Sequence, residues 1–243
     1  ARGQRTTVDA YRRRVRRRYG DEVEAGLSRG GDSARLLFMQ SSGGLTEASR
    51  FRGRDAILSG PAGGIVGCVA TAKRAGFDKV IGFDMGGTST DVSVYDGAFE
   101  RAYDTEFDSI PVRAPMMDIH TVAAGGGSIL RFESGRFQVG PESAGANPGP
   151  AGYRRGGPLT LTDANILLGR IPPDHFPHLF GPSGSEPLDT GAVETGFAAM
   201  ARAMSEETGR SHDPRDVAEG ALQVGVSNMA RAIKTVTTDK GRD

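Results

Sequence analysis

Apolar and polar positions fall into strand-like runs in the first half of the chain and helix-like stripes in the second. Arg35 to Gln40 reads as a short apolar strand turned over by Ser41 to Gly44. Ser59-Gly60-Pro61 then starts a helix through Ala75, with proline in its first turn and small residues (Gly63, Gly64, Gly67, Cys68, Ala70) suited to close packing on a sheet. Val80-Ile81-Gly82-Phe83 predicts a buried strand ending in Asp84, and Val92 to Tyr95 a second strand. Between them run Met85, Gly86, Gly87, Thr88, Ser89, Thr90 and Asp91, the tip of a hairpin. Asp96-Gly97 marks a further turn into a third consecutive antiparallel strand around Phe99 to Tyr103. Beyond Pro115, the segment Asp118-Ile119-His120 reads as extended, which puts Asp118 and His120 on one side.

The second half changes character. Val139 to Gly157 is rich in glycine and proline, and proline makes it constrained rather than floppy. Thr162 is read as the cap of a short helix, Asp163 to Leu168, closed by Gly169. A helix starts at Asp189 and runs to about Thr208; another starts at Asp213-Pro214. Ala218, Leu222, Val226, Met229, Ile233 and Val236 form the expected buried stripe of the last helix. Near the start, Tyr11, Val15 and Tyr19 or Arg18 give an arginine-rich helix, Val8 to Val23, one apolar stripe. Its basic face fits either solvent or an acidic partner; without aromatic interleaving or a second basic patch, solvent is the simpler reading.

Bulk properties narrow the function classes. Acids and bases balance at 30 each over 243 residues, so no global field recruits nucleic acid. Cys68 is the single cysteine, which rules out an internal disulfide and suits a reducing, cytoplasmic setting. No apolar run reaches membrane-span length. The 36 glycines cluster beside apolar segments, as shaped loops on a rigid scaffold would. Ala1 and the Lys240-Gly241-Arg242-Asp243 ending give the expectation of an internal piece of a larger subunit.

The candidate chemistry centres on the hairpin tip. Gly86 and Gly87 can take positive φ and admit a ligand close to the backbone. Successive N–H groups there, with Thr88, Ser89 and Thr90, would form an anion-binding nest. Asp84 and Asp91 would repel a bare phosphate, so a divalent cation, with Mg²⁺ the natural choice, reconciles them. An ordinary glycine-rich hairpin with exposed carboxylates is the alternative. Asp118 and His120 form either a metal or proton-transfer pair or a structural hydrogen-bonded histidine. Gly125, Gly126, Gly127 and Ser128 follow an apolar strand, as a phosphate- or substrate-hugging loop would. Asp163 and Asn165 could reach a ligand, although helix capping explains Asp163 equally well.

FDMGGTSTDVS at Phe83–Ser93 resembles the signature of the hydantoinase A/5-oxoprolinase family. LSGPAGG (Leu58–Gly64), DIHTVAAGGGSI (Asp118–Ile129), VGPESAGANPGP (Val139–Pro150) and LTDANILLGR (Leu161–Arg170) resemble further stretches of that family in the same order. The resemblance covers roughly Leu36 to the C-terminus. It departs at Gly152, where the family usually has cysteine, at Asn147, where it has an acid, and at Ala123, where glycine is common.

The resemblance implies an α/β chain of the actin-like ATPase (RNase H-like) superfold: a mixed sheet, an antiparallel phosphate hairpin and flanking helices. Residues 35–130 would form the nucleotide core, 131–186 a Gly/Pro-rich segment and 187–243 a helical one. The implied activity is ATP-dependent hydrolysis of a cyclic amide, hydantoin or 5-oxoproline, through a phosphorylated amide. ATP and Mg²⁺ would be the cofactors. Asp84, Asp91 and His120 would be catalytic, and Asp84, Asp118 and His120 would hold metal. Gly86, Gly87, Thr88, Ser89, Thr90 and Gly125 to Ser128 would surround the phosphates. A separate hydantoinase B-type subunit is the expected partner. Acetone- or acetophenone-type carboxylation, or a non-catalytic nucleotide-binding subunit, are the alternatives. Actin-like ATPases bind nucleotide between two halves, so residues 1–243 alone are expected to bind ATP weakly or not at all.

Overall fold

A computed structural model of the chain describes residues 18–20, 22–23, 25–27, 35–107 and 110–242. The arginine-rich helix expected over residues 8–23 lies mostly outside the described residues. The chain gathers into two compact units, residues 1–84 with 92–120, and residues 85–91 with 121–243. The hairpin tip belongs with the second unit.

In the first unit, β1 (Leu37–Met39) and β2 (Leu45–Glu47) pair antiparallel, with Leu37 opposite Glu47. Gly43, at φ +84°, supplies the left-handed residue of the turn between them. Helix α1 (Ser59–Arg74) starts as expected and buries Ala62, Ile65 and Val69 on one stripe. That stripe packs with Tyr95 and Met117. Strands β3 (Lys79–Met85), β4 (Thr90–Asp96) and β7 (His120–Val122) follow the order β3-β4-β7.

Two expectations fail in this region. Successive side chains of β3 face opposite sides of the sheet: Ile81 and Phe83 are exposed, at 47% and 43%, while Val80 and Gly82 are half-buried. The apolar run therefore reads as a one-sided strand, not a buried one. The third strand, β5 (Arg101–Phe107), does not extend the hairpin: Tyr95 and Phe99 make a lone bridge, and β5 pairs instead with β6 (Ile110–Met117). The edge of β4 that β5 was expected to take belongs to β7.

The second unit is built on β8 (Ser128–Glu133) and β9 (Arg136–Ser143), an antiparallel pair with a bulge at Ile129, whose free side bridges Thr160. Helices α2 (Leu161–Leu167), α3 (Thr190–Thr208) and α4 (Pro214–Val236) complete it. Asp189 and Asp213 cap α3 and α4 through their side chains, as expected. Phe197, Val193, Leu161, Ala164, Ala218 and Ala221 lie at the centre of its core. On α4 the buried stripe runs through Val217, Ala218, Ala221, Leu222, Gly225, Met229, Ala232 and Val236. Val226 stays 61% exposed, because Gly225 takes the core-facing place and packs on Leu161. Among the described residues no helix is long and apolar enough to cross a membrane.

One buried carboxylate ties this unit together. Thr160, not Thr162, is the N-cap of α2, in a capping box with Asp163. Asp163 is fully buried. Its Oδ2 accepts from Thr160 N (2.8 Å), Thr160 Oγ1 (2.9 Å) and Ala151 N (3.1 Å), and its Oδ1 from Gly152 N (2.8 Å). The residue thus fastens the turn Ala151–Tyr153 to the start of α2. It has no need of a ligand. Gly152 sits tightly here: a Cβ would stand 3.1 Å from Ile166 Cδ1 and 3.2 Å from Asp163 Oδ1.

Burial raises the Asp163 carboxyl above its ordinary value, against the lowering pull of the donors from Gly152, Thr160 and Ala151. The unfolded chain therefore releases this proton first as pH rises. The group's contribution to stability falls through the ordinary aspartate range and levels off above the raised folded value. Replacing Asp163 with Asn should cost about 2–4 kcal/mol, since an amide NH₂ must face at least one N–H donor. Chemical denaturation of D163N against wild type across pH should show that loss, with this component of the pH dependence gone.

Candidate phosphate-binding site

The hairpin tip turns at Gly87-Thr88, where Gly86 N donates to Ser89 O at 2.9 Å. Neither Gly86 nor Gly87 has positive φ, so left-handed backbone is not the reason for either glycine. The tip is instead held from behind by the triple-glycine loop. Gly126 N donates to Gly86 O (3.0 Å) and Gly127 N to Gly87 O (2.6 Å). Ser143 Oγ also reaches Gly87 O, at 3.4 Å.

These contacts explain the three consecutive glycines. A Cβ on Gly125 would stand 2.6 Å from Gly86 O, one on Gly126 2.9 Å from Thr162 Oγ1, and one on Gly127 2.8 Å from Gly87 O. Only bare backbone fits. The loop is closed on itself by Gly125 N donating to Ser128 Oγ and Ser128 N to Gly125 O, both at 3.0 Å. Ala144 N donates to Gly127 O (2.9 Å). Gly126 O accepts twice from Thr162, from its N at 2.8 Å and its Oγ1 at 2.9 Å.

The N–H groups of Gly125, Gly126 and Gly127 are therefore occupied within the protein, and Ser128 is buried at 1% exposure. Thr90 is likewise fully buried, its hydroxyl donating to Ala124 O at 2.6 Å. Read from sequence as lining a phosphate, Thr90 and Gly125 to Ser128 instead form a bracket behind the tip. Sequence reasoning missed Thr162, Ser143 and Thr121 as members of this network. The T-x-x-D spacing of Thr160 and Asp163 was the signal that would have moved the cap off Thr162.

The front of the tip is different. A trans peptide points its C=O and N–H in opposite directions. Fixing the Gly86 and Gly87 carbonyls on the bracket thus turns the Gly87 and Thr88 N–H groups away from it. Among the described residues neither N–H has an acceptor. Both residues are exposed. A Cβ on Gly87 would meet no described atom within 4 Å. The fold gives this glycine no reason.

The acids fall in two groups. Asp91, half-buried, accepts from Thr121 Oγ1 at 2.6 Å within the second unit. Asp84, Asp118 and His120 belong to the first unit. Asp84 is exposed at the end of β3, with Oδ2 3.5 Å from where a Cβ on Gly64 of α1 would stand. Asp118 N donates to Glu100 O at 3.0 Å, and His120 opens β7, half-buried. Among the described residues no three His, Cys, Asp or Glu side chains gather as a metal cage.

Residues 2–243 match the family model described as hydantoinase/oxoprolinase. The chain belongs to this family. The 5-oxoprolinase of Saccharomyces cerevisiae is 45% identical over 242 residues, 97% of this chain and 18% of that protein. The chain thus spans about a fifth of the length of the curated 5-oxoprolinases that it matches. The crystal structure of the ATP-dependent caprolactamase from Pseudomonas jessenii superposes with a TM-score of 0.74 at 34% identity, over 94% of this chain and 32% of that one. A nucleotide-free acetone carboxylase gives a TM-score of 0.75 at 24% identity, over 92% and 31%, a likeness of fold.

The two classes of glycine should separate by stability. Gly125→Ala and Gly127→Ala are expected to cost about 1–3 kcal/mol by overpacking. Gly87→Ala should stay within about 0.5 kcal/mol of wild type. Thermal denaturation of the three variants checks the split.

Proposed function

We propose that the chain supplies the phosphate-handling part of an ATP-dependent enzyme that opens a cyclic amide of the hydantoin or 5-oxoproline type. The observation that carries this reading is the front of the hairpin tip. Among the described residues two adjacent N–H groups lack acceptors there, beside a glycine that no described atom requires. The family and its relatives, a 5-oxoprolinase and an ATP-dependent caprolactamase, support the choice of ATP and cyclic amide. An actin-like ATPase arrangement, with the tip as one of its phosphate hairpins, is the fold-level counterpart.

A ring amide resists water because its nitrogen lone pair is shared with the carbonyl. Transfer of the γ-phosphoryl group to the amide oxygen forms an O–P bond and breaks the bond to ADP. The product is an activated imidate: one water adds to its carbon and the C–N bond breaks to leave an acyl phosphate, and a second water hydrolyses that to the carboxylate and free phosphate. The Gly87 and Thr88 N–H groups would bind the transferring phosphoryl oxygens, and the Thr88 and Ser89 hydroxyls would add donors. Asp84 and Asp91 carry hard oxygen donors suited to Mg²⁺, which is commonly held by one or two carboxylates plus phosphate oxygens and so needs no three-ligand cage. When bound, it would neutralise phosphate charge. Thr121 would keep the Asp91 carboxylate oriented. Asp118 and His120 would serve the substrate side, as metal ligands or in proton transfer. A hydantoinase B-type subunit is the partner this reading implies.

Two substitutions test it in the full-length polypeptide. Asp84→Asn should abolish ATP turnover, and retained turnover would refute its assignment. Gly87→Ala should lower kcat/KM for ATP at least tenfold, the equivalent of about 1.4 kcal/mol, with thermal stability unchanged. Adding hydantoin, 5-oxoproline, or acetone with bicarbonate in turn identifies the substrate: stimulation by a cyclic amide is expected, and stimulation by the ketone alone would contradict the proposal.

A further inference from the structure

We infer that Thr162 is a positioning residue for phosphoryl transfer, acting through Gly126 on the hairpin tip; the inference rests on the phosphate reading of that tip. Thr162 sits in the first turn of α2, where its neighbours Thr160 and Asp163 already satisfy the helix start. Its hydroxyl is not used as a cap. It donates to Gly126 O at 2.9 Å, beside the bond from Thr162 N to the same oxygen at 2.8 Å.

The path from Thr162 to the tip is short and continuous. Gly126 O is held twice, which fixes the Gly126–Gly127 peptide plane. The N–H of that peptide belongs to Gly127 and donates to Gly87 O at 2.6 Å. Gly87 O in turn shares its peptide with the Thr88 N–H, one of the two donors without an acceptor among the described residues. Two planar peptides in series therefore connect the Thr162 hydroxyl to the direction of the Thr88 N–H. Asp163, buried and bound to four donors, anchors the helix that carries Thr162. The donor at the tip thus takes its aim from the second unit's core.

Such aim matters most where charge develops. A preoriented N–H stabilises the transferring phosphoryl group without reorganising at the moment of reaction. Removing the Thr162 hydroxyl leaves Gly126 O still bonded to Thr162 N, so the fold loses little while the plane gains freedom. The larger effect should fall on kcat rather than on KM for ATP.

The test compares Thr162→Val, Thr162→Ser and Gly87→Ala in the full-length polypeptide, assayed for ATP turnover with its cyclic amide and for thermal midpoint. T162V should lower kcat/KM for ATP by roughly five- to tenfold, mostly in kcat, with the midpoint close to wild type. T162S, which keeps the hydroxyl, should recover most of that loss. Wild-type kinetics in T162V, or a T162S as impaired as T162V, would overturn the inference. An impaired G87A beside an unimpaired T162V rejects the bracket role alone; an unimpaired G87A rejects the phosphate reading itself. Should T162V fail to fold, Thr162→Ala removes the same hydroxyl from Gly126 O. A kcat loss in T162A that T162S recovers supports the inference, and wild-type kinetics in T162A overturn it.

Discussion

Two backbone hydrogen bonds, from Gly126 N to Gly86 O and from Gly127 N to Gly87 O, set the geometry on which the candidate site depends. They need two stretches of backbone nearly in contact, which only glycine permits on the loop side. Once made, they convert a flexible turn into a fixed pair of peptide planes. The outward N–H groups are then a consequence of peptide geometry and not of any side chain. A binding surface made of backbone needs support from behind, and most of the motif residues around it supply that support.

The glycines of this chain divide by what surrounds them. Gly125, Gly126 and Gly127 are required by protein atoms within 3 Å of an added Cβ; Gly87 is not. The same division applies to hydroxyls. Those of Thr90, Thr121 and Thr162 are engaged with the protein, at Ala124 O, Asp91 Oδ1 and Gly126 O. Residues that look alike in a glycine- and threonine-rich motif thus differ in surroundings, one set holding the frame and the other left exposed at the tip, where the proposed phosphate site lies. Asp163 extends the frame into the core, where a buried carboxylate serves four donors at a desolvation cost that lifts its proton affinity.

Much of this was legible in the sequence, and what was missed has physical reasons. Helices α1, α3 and α4 were readable from Pro61, Asp189 and Asp213-Pro214, because capping and proline act locally. The hairpin around Gly86 and Gly87 was readable from its flanking apolar runs. The exposure of Ile81 and Phe83 was not, since an apolar run does not say whether one face or two are covered. The pairing of β5 with β6 depends on which strand reaches the edge of β4, a tertiary outcome. The occupation of the Gly126 and Gly127 N–H groups was hidden for the same reason: their acceptors, Gly86 O and Gly87 O, lie about 40 positions earlier in the chain. Family membership was legible because five motifs stand in order, and the match over residues 2–243 bears it out.

The most direct test of the account is a structure of the full-length polypeptide with Mg²⁺ and a non-hydrolysable ATP analogue. The account predicts terminal phosphate oxygens within hydrogen-bond distance of Gly87 N and Thr88 N, with Gly126 N and Gly127 N still bonded to the Gly86 and Gly87 carbonyls. Phosphates bound elsewhere, with the Gly87 and Thr88 N–H groups turned to water or protein, would contradict it.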